Sequence, residues 1–399
     1  MSETELSSIF SGTGGIIRFK ESVIIDDLDI DAYGSKKLVL IFGHIALKAD
    51  YSVKELIGLF GKGVKIDDLY RTLDDMKIDP SVADGMICRL AEYGLFIGTQ
   101  GKRQKSELLL KLPIFSEETI IRFKWLQGLF SKRLLLILSL FSSACILLAL
   151  KAYYLALVNN TVKPISIVEI VIVLILIAVS GFFHELGHAA ALMRYGGRPG
   201  EIGIGIYIAS IVAYSNVNEA WRLKSYERLV VDFGGIYFQS IFAAIITAVF
   251  YLTKNNALFY TSVCLGLGVI TNCLPVLKLD GYWVACDYFN VDNINHIVWE
   301  MLFSKDYRSR LPLKTQLYYF GYMIINAVLS LIFAGYFMML FCGAAAKLHN
   351  LILSFGSLKS TKTFAGAIVD SSGYILTFVC CMIAVFRLLF GLLRKGGAK

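Results

Sequence analysis

Apolar and polar positions along the chain fall into two regimes. Over residues 1–100 the apolar runs are short. Ile16 to Phe19 and Val23 to Asp26 read as brief strands. Val53, Leu56, Ile57 and Phe60 recur at helical spacing behind Ser52, an N-cap with Glu55 at the capping-box position. Asp67 is the expected cap of a second helix through Leu69, Leu73 and Met76. Pro80 opens a third through Val82, Met86, Ile87 and Leu90, which Gly94 stops. Leu95 to Gly98 returns as a wing strand. Three helices with flanking strands predict a winged-helix-like α+β domain over 1–100.

Beyond residue 133 the apolar runs exceed the roughly 18 residues that mark a spanning helix. Leu134 to Val158 is the first. A short loop, Asn159 to Pro164, leads into a second that starts at Ile167 and ends in a polar motif near residue 188. Leu229 to Leu252 is a third, broken by Gly234-Gly235, and Ala257 to Leu277 a fourth. Gln316 to Cys342 and Tyr374 to Leu393 complete the set. Residues 101–133 read as a basic linker, the stretch before Thr315 as a polar loop, and residues 344–373 as a connector. Between the second and third runs, Ile202 to Ile208 alternates strictly and predicts a strand, whose Gly203 and Gly205 leave one face bare for another backbone. The fold class is thus a mainly α membrane protein with about six transmembrane helices plus the N-terminal domain.

Composition agrees. The chain is 56% hydrophobic with a mean hydropathy of +0.63, too apolar for a soluble protein. No apolar h-region follows the polar start, so no cleavable signal is expected. The eight cysteines form no C-x-x-C pair and read as small buried hydrophobes.

Charge sets an orientation. Residues 1–100 carry 11 Lys/Arg against 16 Asp/Glu, so the remainder holds more than the whole net excess of +8. Its basic residues cluster before the first span, between the second and third, between the fourth and fifth, and after the sixth. That pattern predicts a multi-pass cell-membrane protein with both termini cytoplasmic, and no nucleic-acid partner. The same orientation brings the ends of the second and fourth spans to similar depth on the cytoplasmic side.

The chemistry lies at those ends. His184-Glu185-Leu186-Gly187-His188 is an H-E-x-x-H motif, and two of the five histidines fall in it. Residues four apart share a helix face, so both imidazoles can meet one ion. Glu185, one position round, is placed to hold and deprotonate a water. Two His with a carboxylate and an open position describe a hydrolytic Zn2+ site. Asp280, at the end of the fourth span, is the favoured third ligand, with Asp287 and Asp232 as alternatives. His296 and His349 are expected in loops without a role.

At this point the chain resembles the site-2 protease family of intramembrane zinc metalloproteases. The likeness rests on His184-Glu185-x-x-His188 and on Asn272-x-x-Pro275-x-x-x-Leu279-Asp280-Gly281, and covers roughly residues 134–290. It implies that His184, His188 and Asp280 bind zinc, that Glu185 is the catalytic base, and that Asn272 and Pro275 shape the substrate cleft. It also implies a small membrane-embedded β segment at Ile202 to Ile208, which accepts the substrate as an added strand beside Gly203 and Gly205. Tyr195-Gly196-Gly197-x-Pro199, Trp221-Arg222-Leu223 and Leu279-Asp280-Gly281-Tyr282-Trp283 resemble the bacterial putative peptide zinc metalloprotease branch. Members of that branch often accompany ribosomally made, modified peptides, so peptide-biosynthesis proteins are implied partners and residues 1–100 an implied peptide-docking module. Asn216 stands where that branch leads one to expect Asp. The leading expectation is peptide-bond hydrolysis at the cytoplasmic membrane face, on a peptide precursor or a membrane-spanning regulator. The alternative is a non-catalytic peptide-binding or immunity protein. The spans show no internal repeat that would point to transport.

Overall fold

A computed structural model describes residues 9–10, 13, 15–27, 36–42, 45–99, 110–207, 210–275 and 279–354. The expected last span, Tyr374 to Leu393, lies outside them. The chain forms two compact units, Met1–Arg122 with Tyr195–Arg228, and Phe123–Arg194 with Leu229–Lys399.

In the first unit, β1 (Ile16–Ile17), β2 (Ile24–Asp27), β3 (Lys37–Phe42) and β4 (Ile45–Asp50) precede α1 (Lys54–Lys62). Then come β5 (Val64–Lys65), α2 (Ile66–Asp75) and α3 (Pro80–Glu92). Strands β2, β3 and β4 form an antiparallel sheet in that order. Its central strand escapes a period-two reading because both of its faces are covered. Leu38 and Leu40 join the core under the helices, while Val39 and Ile41 pack with Ile24 and Trp221. A strand buried on two sides reads as a continuous apolar run. Phe10, Phe19, Phe60 and Phe96 centre the helical core, with Phe19 and Phe96 stacked at 5.0 Å.

Two expected caps move. The Asp50 carboxylate, not Ser52, takes a backbone N–H, that of Ser52 itself at 2.8 Å. Asp67 lies inside the first turn of α2, where its charge still suits the helix N-terminus. Pro80 does open α3, and the Asp79 carboxylate caps it. Ile16 to Phe19 is paired along most of its length. β1 pairs with β5, and the backbones of Arg18, Phe19 and Lys20 bond Ile97, Phe60 and Leu95.

The segment expected as linker is partly sheet. β6 (Leu110–Phe115) pairs with β7 (Ile202–Tyr207), which pairs with β8 (Ser210–Ser215). It is followed by α4 (Glu117–Ile121). The insertion that carries β7 and β8 is also fastened to the first sheet. The Lys48 ammonium sits 4.0 Å from the centre of the Trp221 ring, and Arg222 Nε donates to Asp26 at 3.0 Å.

Among the described residues, five helices are long and apolar enough to cross a membrane. They are α5 (Lys132–Val158), α6 (Ile167–Arg194), α7 (Ser225–Thr253), α8 (Asn256–Cys273) and the first part, Leu313–Ile332, of a later helix. Leu150 and Tyr153 of α5, Val173 of α6, Ile236 of α7 and Val263 of α8 share one buried cluster. Gly234-Gly235 does not break α7. A Cβ on Gly234 would stand 2.6 Å from the Gly187 carbonyl oxygen, so the two backbones cross in direct contact. Small residues permit such crossings between apolar helices, where packing is the main attraction.

Between α8 and the last helix, the expected polar loop is helical: α9 (Asp280–Tyr288), α10 (Ile294–Phe303) and α11 (Lys305–Arg310). α12 runs from Leu313 to Ser354, past the expected end of the fifth span and into the expected connector. His296 and His349 consequently sit on helices, not loops.

Candidate metal centre

α6 is helical through its H-E-x-x-H motif, so His184 and His188 project from one face a turn apart. Each Nε2 points at the other, 3.2 Å away. α9 opens with Asp280, whose Oδ2 lies 2.9 Å from His184 Nε2 and 3.6 Å from His188 Nε2. Among the described residues, His184, His188 and Asp280 are the group of three His, Cys, Asp or Glu side chains able to hold one metal ion. A tetrahedral zinc ion at its usual bond lengths keeps two ligand atoms roughly 3.3–3.6 Å apart. The observed triangle falls close to that range.

The protonation pattern fits a cation. His188 Nδ1 lies 2.8 Å from the Val231 carbonyl oxygen, an acceptor, so that nitrogen carries the proton and Nε2 presents its lone pair. Burial alone would push the Asp280 carboxyl up. The His188 and His184 imidazoles outweigh it and hold the group well below the usual carboxylate range. Two imidazole nitrogens and an ionised oxygen thus converge on one point, a donor set that a divalent metal ion satisfies once both imidazoles are neutral. The residues therefore suit a divalent metal ion.

Comparison of the chain with protein-family models, curated proteins and solved structures finds no match.

Neighbours of the triad on α7, α8 and α9 build its walls. A Cβ on Gly235 of α7 would collide with His188 Nε2 and stand 2.6 Å from His184 Nε2. Gly281 has the Asn272 carbonyl oxygen 2.7 Å from where its Cβ would be, which seats the start of α9 against the end of α8. Asn272 Nδ2 donates to Gln239 Oε1 of α7 at 3.2 Å, and the Pro275 carbonyl accepts from Tyr322 at 3.4 Å. Asn272 and Pro275 thus hold the segment that delivers Asp280. Gly235, Gln239 and the Val231 carbonyl carry no motif. The signal available for them is the small-residue pair Gly234-Gly235 within an apolar run. Asp287 and Asp232, the alternative ligands, neighbour each other and are not part of the group that converges with the two histidines.

The strand expected to receive a substrate is already flanked. Gly203 and Gly205 lie on β7, between β6 and β8. A Cβ on Gly203 would strike the Leu112 carbonyl of β6 and stand 2.9 Å from the Tyr214 ring. The backbone that these glycines admit is thus the chain's own. Tyr214 donates to Glu201 at 3.0 Å, and burial with the Glu201 carboxylate pushes its phenol up to about 12, so it remains a donor. Asn216 closes the base of the same hairpin, its backbone exchanging bonds with Gly200 and Glu201. Gly203→Val should therefore disrupt the sheet itself. Backbone amides of β6 and β7 should exchange with deuterium at least about tenfold faster, which corresponds to roughly 1.4 kcal/mol of lost local stability.

Proposed function

We propose that this chain is a membrane-embedded zinc metalloendopeptidase of the site-2 protease type, from the branch that acts on ribosomally made peptides. The observation that carries the reading is the convergence of His184, His188 and Asp280 beside Glu185, at the end of a helix long enough to cross a bilayer. A zinc ion held by the three would supply Lewis acidity toward a peptide carbonyl and bring the pKa of water to about 7. Glu185 takes the proton from the attacking water and passes it to the departing amide nitrogen as the C–N bond breaks and the new C–O bond forms. Gly235 keeps the space above both imidazoles free of side chain. The three-stranded β6–β8 sheet is read as the membrane-embedded β segment.

The test is a comparison of peptides, by mass spectrometry, between cells with the native chain and cells with Glu185→Gln. A precursor that accumulates in the variant and is cut by the purified native protein supports the reading. A purified, metal-loaded protein that cuts no accumulating peptide would leave the non-catalytic binder as the better account.

In this reading both termini face the cytoplasm. A cysteine-free variant with one new cysteine at Asn160, in the loop between α5 and α6, should then react with impermeant reagents only from outside. Reaction from the cytoplasm alone would invert the orientation.

Residues 1–100 are read as the module that recruits the peptide, which suits a basic or neutral ligand because the module is acidic. Among the described residues, β2 has a strand partner on one side only, and Ile25 is exposed. An incoming strand would add there and not at Ile16 to Phe19. Ile25→Arg should raise KM for the native substrate about tenfold, roughly 1.4 kcal/mol, and leave cleavage of a short generic peptide unchanged. An unaltered KM for the native substrate would remove β2 as the docking edge.

A further inference from the structure

The helices α10 and α11 carry a surface that the metal centre does not use. One face of α10 is buried. Ile294, Ile297 and Met301 pack with Tyr282 of α9 and Tyr319 of α12, and Tyr282 donates to Asn293, the cap of α10, at 2.8 Å. Among the described residues, the opposite face is exposed. Trp299 and Phe303 are 63% and 75% exposed, and their rings stack at 5.0 Å. Directly after them the sequence turns basic, with Lys305, Arg308, Arg310 and Lys314 against Asp306. The first turns of α12 then expose Leu313 and Leu317, at the start of a candidate span.

These three features follow one another in the order that a bilayer surface presents. Trp and other large aromatics concentrate at the headgroup level of membrane proteins. Clustered Lys and Arg beside a spanning helix attract anionic lipid headgroups. Exposed leucines belong among acyl chains. A water-facing surface would have no use for two bare stacked rings. A protein partner would account for the rings but not for the basic run and the exposed leucines of a candidate span that follow them in sequence.

We propose that α10 and α11 form an interfacial foot that binds anionic phospholipids. Trp299 and Phe303 lie at the glycerol level, and Lys305, Arg308 and Lys314 contact phosphates. The foot shares a core with α9, whose first residue is Asp280. Lipid contact at the foot would thereby fix the depth of the carboxylate that completes the metal centre. The inference requires α12 to cross the bilayer and is independent of what the metal centre does.

The full chain would be reconstituted in nanodiscs of phosphatidylcholine alone, or of equal parts phosphatidylcholine and phosphatidylglycerol, with acyl chains brominated near the headgroup. The fluorescence lost in Trp299→Phe isolates the signal of Trp299. That signal should be quenched by the brominated chains and protected from aqueous iodide. The variant Lys305→Gln/Arg308→Gln/Lys314→Gln should lose preference for phosphatidylglycerol by at least about tenfold, since each charge near an anionic surface counts for roughly fivefold. Should the triple variant fail to fold, Lys305→Gln alone should lose about fivefold. Quenching of Trp299 by iodide and not by bromine would overturn the proposal. So would phosphatidylglycerol binding that the charge variants leave unchanged.

Discussion

Alanine at His184, His188 or Asp280 is expected to lower the metal content of the purified protein relative to the native chain, as read by elemental analysis, in line with the proposed zinc site. Each change removes one of three converging ligand atoms, two imidazole Nε2 atoms and one carboxylate oxygen. Glu185→Gln should behave differently. Gln keeps the size of Glu but cannot accept a proton from water, so zinc content should hold while turnover falls about 10²–10⁴-fold, the usual worth of a general base. Asp280→Ala is the decisive member of the set, since Asp287 and Asp232 were open alternatives by sequence. Full zinc content in Asp280→Ala would return one of them to the ligand set and undo the assignment built on the 2.9 Å contact to His184.

The second large effect comes from a residue with no chemistry of its own. Gly235→Ala adds one methyl group against the Nε2 atoms of both histidines, where the metal would bind. Neither imidazole can retreat cheaply, because α6 and α7 already touch at Gly187 and Gly234 and His188 is bonded to Val231. Zinc affinity should fall by about 10–100-fold or more, the scale seen when groups that orient metal ligands are disturbed. Gly268→Ala on α8 is the matched control. Its Cβ would meet only Gln239 Nε2, at 3.9 Å, an ordinary contact. Helix content by circular dichroism should be unchanged in both. Equal zinc affinity in Gly235→Ala and the native chain would mean that the site has more room than the geometry shows.

Several features were legible because they depend on local pattern alone. Apolar runs long enough to span a bilayer are visible in any window, and α5 to α8 lie close to where those runs predict. The spacing of His184 and His188 needs only the helical period. The charge distribution placed the ends of the second and fourth runs at one depth, which made Asp280 the natural third ligand before any distance was known.

Other features depend on neighbours that are remote in the chain. Leu38 to Ile41 form a strand because Trp221, about 180 residues later, covers one face while the helical core covers the other. Gly203 signalled a close backbone, and only the pairing with β6 shows that Leu110 to Phe115 lies beside it. Gly234-Gly235 looks like a break in isolation. It becomes a helix crossing and a metal-site wall once α6 lies against it. The local sequence specified the long apolar helices and the side chains that could hold a metal, because hydropathy and helical period act within a few turns. Tertiary packing decided which glycine faces which atom, because a missing side chain has meaning only through what occupies its place.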